Sequence, residues 1–278
     1  MDNHAFVLEY PHLIALLHKT FIRALAQPSV EEIERIEQLP ESDPAVVEFD
    51  NKVWADRVVF YLGRIAADDF SELLLLASNG YGFGALKILR GMYERVVTAA
   101  FISKNPAEVR HFFNDSAIKR QGIWKRSLEW MPELRERYPA EQIAKLEQSY
   151  RQALGKRAET ICKKCGHPKT QEAWTPRDLE TMAKQTDANL GCLYASCYLE
   201  PTCHVHATSF GIERRLNGHN YRDSSEAEAK QAVHLSHNLV LRVLWLQDAY
   251  FRLGLEGEIE ARAKAFIGMY GQGAGAPR

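Results

Sequence analysis

The sequence predicts an all-α protein: a single helical-bundle domain with a loop insertion that bears cysteines and a histidine. Three observations predict it. Apolar residues recur three and four apart from His4 to Leu253, no stretch sustains the period-two alternation of a strand, and all five cysteines fall between Cys162 and Cys203. With 278 residues, 46% hydrophobic and 26% charged, the chain can bury a sizeable core, which excludes disorder as its main state. Its longest apolar runs, Leu73 to Ala77 and Val96 to Ile102, fall far short of the ~20 residues of a spanning helix, and Met1-Asp2-Asn3-His4 does not begin like a signal peptide. A cytoplasmic protein with no membrane association is therefore expected.

Residues 1–44 are expected to form N-terminal helices. Phe6, Tyr10, Leu13, Leu17 and Phe21 make one apolar stripe from about His4 to Ala26, and Pro28-Ser29 followed by Glu31-Glu32 ends that helix and starts the next. Pro40 to Pro44 is a second break. The bundle is expected over 45–255. Val46, Phe49, Val53, Val58, Tyr61, Leu62 and Ile65 predict a long amphipathic helix, with a separate one from Asp69 to Ser78. Ala85 to Ser103 is the most apolar helix, stopped by Lys104-Asn105-Pro106. Helices follow around Arg110 to Trp130 and from Ala140 to about Ala158, then the insertion at about 160–175. Thr175 as N-cap and Pro176 at the first helical position predict a helix to Thr186. Leu190 to Leu199 should be the next, broken by Pro201. Residues 211–224 are expected as loop, Ser225 to Leu253 as a long helix closed by Gly254, 256–270 as a C-terminal helix and 271–278 as a disordered tail.

The cluster Asn79-Gly80-Tyr81-Gly82-Phe83-Gly84 lacks the Lys-Ser/Thr of a P-loop and has no strand before it, so a tight inter-helix corner is preferred to a phosphate cradle. Charge is divided along the chain. Glu31 to Glu72 holds twelve acids and four bases, whereas Lys104 to Thr170 holds fifteen bases and eight acids. Such runs usually mark wet surface, although the basic block could meet phosphate.

Cys162-x-x-Cys165 with His167 two residues on has the spacing with which two thiolates grip one tetrahedral zinc. Cys192, Cys197, Cys203, His204 and His206 follow as further ligand candidates, and Cys162, Cys165, His167 and Cys203 form the expected set. Structural zinc stands beside two other readings, thiols without metal and thiol redox chemistry. Arg90 and Glu94 lie four apart on the face of Leu86, Val97 and Phe101, where they would satisfy each other either as a structural ion pair or as a polar site inside the bundle. His206 and His237 are the candidate titrating groups.

Leu89-Arg90-x-x-x-Glu94, Pro106, Trp174, Leu193-Tyr194, Tyr198, Thr202 and His206 together resemble a bacterial all-helical domain family of unknown function, grouped loosely with HEPN-like proteins of toxin and phage-defence systems. The resemblance covers roughly residues 45–255. It implies that Arg90, Glu94, Tyr198, Thr202 and His206 are the recurring polar positions, and it puts Arg90, Glu94, Tyr198 and His206 forward as a catalytic set. Active HEPN ribonucleases carry Arg, four to six residues, then His on a helix; only Arg214 to His219 has that spacing here, and it spans the turn-forming Asn217-Gly218. Two functions stay open: a metal-independent ribonuclease or degenerate relative acting on RNA, and a non-catalytic helical interaction protein with structural zinc. A homodimer is expected in either case, because the apolar helix Leu86 to Ile102 is wider than one partner face needs.

Overall fold

The computed structural model describes residues 3–24, 30–40, 42–155, 159–161, 168–170, 173–217, 220–221 and 225–271, and nearly all of these are helical. In chain order the helices are α1 (Asn3–Arg23), α2 (Val30–Glu37), α3 (Pro44–Ser78), α4 (Gly82–Lys104), α5 (Val109–Trp130), α6 (Leu134–Arg137), α7 (Ala140–Gly155), α8 (Leu179–Thr186), α9 (Ala188–Tyr194), α10 (Glu200–Val205), α11 (Ser209–Glu213), α12 (Glu226–Phe251) and α13 (Glu256–Tyr270). Two short antiparallel strand pairs complete the described residues, β1 (Glu159–Ile161) with β2 (Pro168–Thr170) and β3 (Leu216–Asn217) with β4 (Asn220–Tyr221). The protein is thus all-α, as its periodicity predicts. The tail 272–278 and the segment 162–167, with Cys162, Cys165 and His167, lie outside the described residues.

Helix α4 is the axis of the fold. Thirteen of its 23 residues are buried, over more than half of its circumference, while Lys87, Glu94 and Arg95 lie on a partly exposed strip, so it needs covering by several neighbours. Helices α3 and α12 flank it, and α8 and α10 close the remaining faces. The buried face of Leu86 to Ile102 is therefore covered within the chain. Helix α1 adds Leu13, Leu16, Leu17 and Phe21 to the same core, and is tied to α13 by Arg262–Glu9 at 2.8 Å.

Several boundaries differ from the sequence reading, each for a local reason. The two helices expected over Val46 to Ser78 are one, capped at Asp43, whose carboxylate accepts the N–H of Ala45. The apparent break at Asp68-Asp69 disappears because Asp69 is buried against Arg95 of α4 at 2.5 Å. Helix α8 starts at Leu179 rather than at Pro176. Asp178, not Thr175, is the cap, accepting the Thr181 N–H at 2.7 Å. Pro201 does not break its helix. A π-helical turn over Ala195–Leu199 joins α9 to α10 with the Glu200 N–H bonded five residues back to Ala195, and this widened turn accommodates the proline that follows. Within 211–224, residues read as loop, Thr208 caps the short helix α11 and β3 pairs with β4.

The glycine cluster makes the tight corner expected of it. Gly80 turns with φ 80°, and the Ser225 N–H donates to its carbonyl. At Gly82 an added Cβ would sit 2.2 Å from the Ser225 carbonyl oxygen, so only glycine lets the starts of α4 and α12 touch.

Helices α5 and α7 pair chiefly with each other. Only Val109 and Asp115 of α5 and Ala153 of α7 are buried, so the pair forms an arm beside the core. Its root is anchored by Trp174, edge-on to Phe101 and Phe112 at 5.8 and 5.3 Å.

His237 lies fully buried among Phe6, Phe70, Phe266 and Tyr270, with neither ring nitrogen hydrogen-bonded. Burial, aided by neighbouring His234, holds its pKa down at about 4. Because that value is below the unfolded one, the unfolded chain alone takes up a proton as pH falls below about 6.5. Stability should drop between pH 6.5 and 4 by about 3 kcal/mol from this group. Denaturant melts should show His237→Leu with a flatter acid limb than the parent; identical limbs would refute the assignment.

Candidate functional site

The polar positions on α4 meet the α9–α10 segment. Arg90 donates through Nε to the Thr202 hydroxyl at 3.0 Å and through Nη2 to the Tyr198 hydroxyl at 3.1 Å. Its Nη2 is also 3.1 Å from Glu94 Oε1, and Nη1 is 3.4 Å from Glu94 Oε2. The guanidinium carbon lies 4.7 Å from the Tyr198 ring centroid, so one face of the cation is covered. Thr202 holds its own orientation by donating to the Tyr198 carbonyl at 2.5 Å, one turn back. Tyr194 stacks on Tyr198, with centroids 5.3 Å apart, and Tyr93 beneath donates to the Leu190 carbonyl at 2.7 Å.

Three of the four residues put forward as catalytic thus converge: Arg90, Glu94 and Tyr198, with Thr202. Among the described residues no side-chain interaction joins His206 to them. It is exposed at the end of α10, where the backbone has turned extended, and only its N–H is engaged, on the Thr202 carbonyl. His237, the other titrating candidate, belongs to the aromatic core. The cluster as it stands is a clasp: a cation, a carboxylate, a phenol and a hydroxyl that satisfy one another, with the Arg90 side chain 22% exposed.

Cys203 is half-buried on α10, its Sγ donating to the Leu199 carbonyl at 3.6 Å. Cys197 is fully buried, and burial pushes its thiol up to about 12, so it stays protonated. Among the described residues no group of three or more His, Cys, Asp or Glu is arranged to hold a metal ion. Of the Arg214 to His219 pair, Arg214 pairs with Glu200 at 3.3 Å and His219 lies outside the described residues.

Sequence reasoning passed over His204 in favour of His206. His204 is only 6% exposed, in contact with Phe83 and Phe210. Leu190, Cys197, Pro201 and His204 are all buried, a seven-four-three spacing that marks the inner stripe of this segment. That spacing could have pointed His204 inward and His206 outward.

A groove of about 1030 Å³ opens where the start of α3 meets the end of α12. Three of its polar side chains pair with one another: Tyr250 donates to Asp56 at 2.7 Å, and Lys52 meets the other oxygen of that carboxylate at 2.9 Å. Arg252, one of its lining residues, has a left-handed φ of 55° at the C-cap of α12.

Fold and site together define an all-helical domain built around one apolar helix, with an Arg-Glu-Tyr-Thr clasp on its flank. The chain belongs to a family of unknown function, DUF5677, whose model matches residues 56–224, the stretch that carries the clasp. No curated protein and no solved structure matches the chain.

The clasp geometry makes Arg90 and Thr202 energetically coupled. Thr202→Val should cost about 1–2 kcal/mol, as a hydrogen bond to a charged donor is lost. In an Arg90→Met background it should cost about 1 kcal/mol less. Urea melts of the two single variants and the double variant measure the coupling; additive losses would mean that the contact carries no energy. Glu94→Ala should cost only about 1 kcal/mol, because water reaches both partners.

Proposed function

We propose that the protein is a non-catalytic helical interaction protein that engages RNA through the α5–α7 arm, with the Arg90 cluster serving as a structural clasp. The carrying observation is the engagement of Arg90: Nε, Nη1 and Nη2 all have partners within the chain, and the Tyr198 ring covers one face. A guanidinium so engaged, beside a carboxylate, is poorly suited to gripping a reacting phosphate. The arm, by contrast, presents what a polyanion needs. Trp130 is 85% exposed and Ile123 67%, on a helix that also carries exposed Lys119, Arg120, Lys125 and Arg126. An exposed indole among cations suits base stacking with phosphate pairing.

A HEPN-like ribonuclease in a toxin or phage-defence setting is the second reading, favoured by the meeting of Arg90, Glu94 and Tyr198 in one partly open cluster. Labelled single-stranded RNA separates the two. The proposal expects salt-sensitive binding without cleavage, weakened by Trp130→Ala by about 1–3 kcal/mol. RNA cleavage that disappears in a folded Arg90→Lys or His206→Ala variant would establish the ribonuclease instead. Absence of binding would reject the arm as an RNA surface.

A structural zinc held by Cys162, Cys165 and His167, with Cys203 as the fourth ligand, belongs to the same proposal. What supports it is that β1 and β2 pair with Ile161 opposite Pro168, bringing together the two ends of the Cys162 to His167 segment. Elemental analysis of protein purified without chelator should give one zinc per chain, lost in Cys162→Ser; a zinc-free folded protein would refute it.

A further inference from the structure

The second polar cluster lies where the start of α4 meets α10 and α11, and the clasp plays no part in it. His204 is 6% exposed and its Nδ1 has no hydrogen-bond partner. Its ring rests against two phenylalanines, with centroids 5.0 Å from Phe83 and 5.9 Å from Phe210. Each of those rings carries an arginine. The Arg215 guanidinium carbon is 4.5 Å from the Phe83 centroid, and that of Arg214 is 5.4 Å from the Phe210 centroid. Two cations on the two rings that touch an imidazole whose buried Nδ1 lacks a partner is an arrangement that neither core packing nor surface solvation requires.

The other groups are consistent with this. Phe83 sits in the first turn of the 23-residue helix α4, whose N-terminal end favours negative charge. Two acids face His204 electrostatically, Glu200 and Glu228, opposing Arg214 and Arg215. Glu200 is held by Arg214 at 3.3 Å and by Gln231 at 3.0 Å, while Glu228 is buried on α12. Arg215 donates through Nη1 to the Tyr221 hydroxyl at 3.1 Å, which fixes its fork over Phe83. Arg214 is the more exposed of the salt-bridged pair it forms with Glu200, 48% against 28%, so the cluster opens to solvent on the α11 side.

We propose that His204, Arg214 and Arg215 form a binding site for a phosphate group, with the arginines supplying forked donors and the His204 imidazole supplying the hydrogen bond that its Nδ1 lacks within the chain. Burial together with Arg215 holds His204 below its ordinary pKa in the free protein. The site does not depend on the RNA-binding arm or on whether the clasp is catalytic.

The test is nuclear magnetic resonance on the full-length chain with isotope-labelled histidine, the His204 signals being assigned through His204→Gln. Inorganic phosphate is titrated at constant ionic strength, and dimethyl phosphate is titrated in parallel. The expected result is a saturable shift of the His204 signals with phosphate. Affinity should fall about tenfold in Arg215→Gln and in Arg214→Gln, as expected for one lost charge-assisted contact. Saturation by inorganic phosphate alone assigns the site to a terminal phosphate, and equal saturation by the diester assigns it to a nucleic-acid backbone. Unmoved His204 signals with both probes, or equal affinity in the parent and in both folded arginine variants, would overturn the proposal.

Discussion

The structure is organised by the need to cover the wide apolar face of α4. A helix whose apolar residues cover more than half of its circumference has no stable place at a surface, and each neighbour of α4 answers for part of that face. Helices α3 and α12 take the broad faces, and their own approach is set by small residues. Gly63 lies so close to Gln247 that an added Cβ would overlap its amide, and that amide donates to the Val59 carbonyl at 2.8 Å. The remaining face is left to α8 and α10, which lie far along the chain and return to α4 by a long route. The clasp sits on that last face.

Charges on an apolar helix then follow a common rule. Arg90 and Arg95 both leave α4 toward a partner on another element, Arg90 toward the α9–α10 segment and Arg95 toward Asp69 on α3. Asp69 is buried deeply enough that its carboxyl rises to about 6 despite the guanidinium beside it. Ion pairs of this kind contribute less to net stability than to register, since they penalise any slide of one helix along another by stranding a charge. Two such pins on opposite sides of α4 fix its axial position relative to both neighbours.

The helical class, the central apolar helix, the glycine corner and the Arg90–Glu94 pair were legible in the sequence, because each rests on local spacing or on the cost of burying charge, whereas Tyr198 and Thr202 were joined to that pair only through the resemblance. The misread boundaries share a cause. Asp69 looked like a helix break because its partner Arg95 is 26 residues away. Pro201 looked like a stop because a π turn cannot be read from an apolar period of 3.6. The choice of His206 over His204 had no such excuse, since Leu190, Cys197, Pro201 and His204 follow one another at an ordinary helical spacing. Arg215 and Phe83, some 130 positions apart, could be brought together only by the fold.

The π turn has a further consequence. An α-helix advances about 100° per residue, so one residue more or less within it swings every later side chain around the axis by that angle. Ala195–Leu199 holds such an extra residue in a continuous helix, and it lies between α9 and the part that carries Thr202 and His204. The segment therefore behaves as two helices in different angular phase, joined without a loop. Thr202 faces Arg90 and His204 faces Phe83 from the same short stretch, and both orientations depend on that phase. A chain that lost one residue here would keep an unbroken helix, yet the side chains beyond the lesion would face the wrong neighbours.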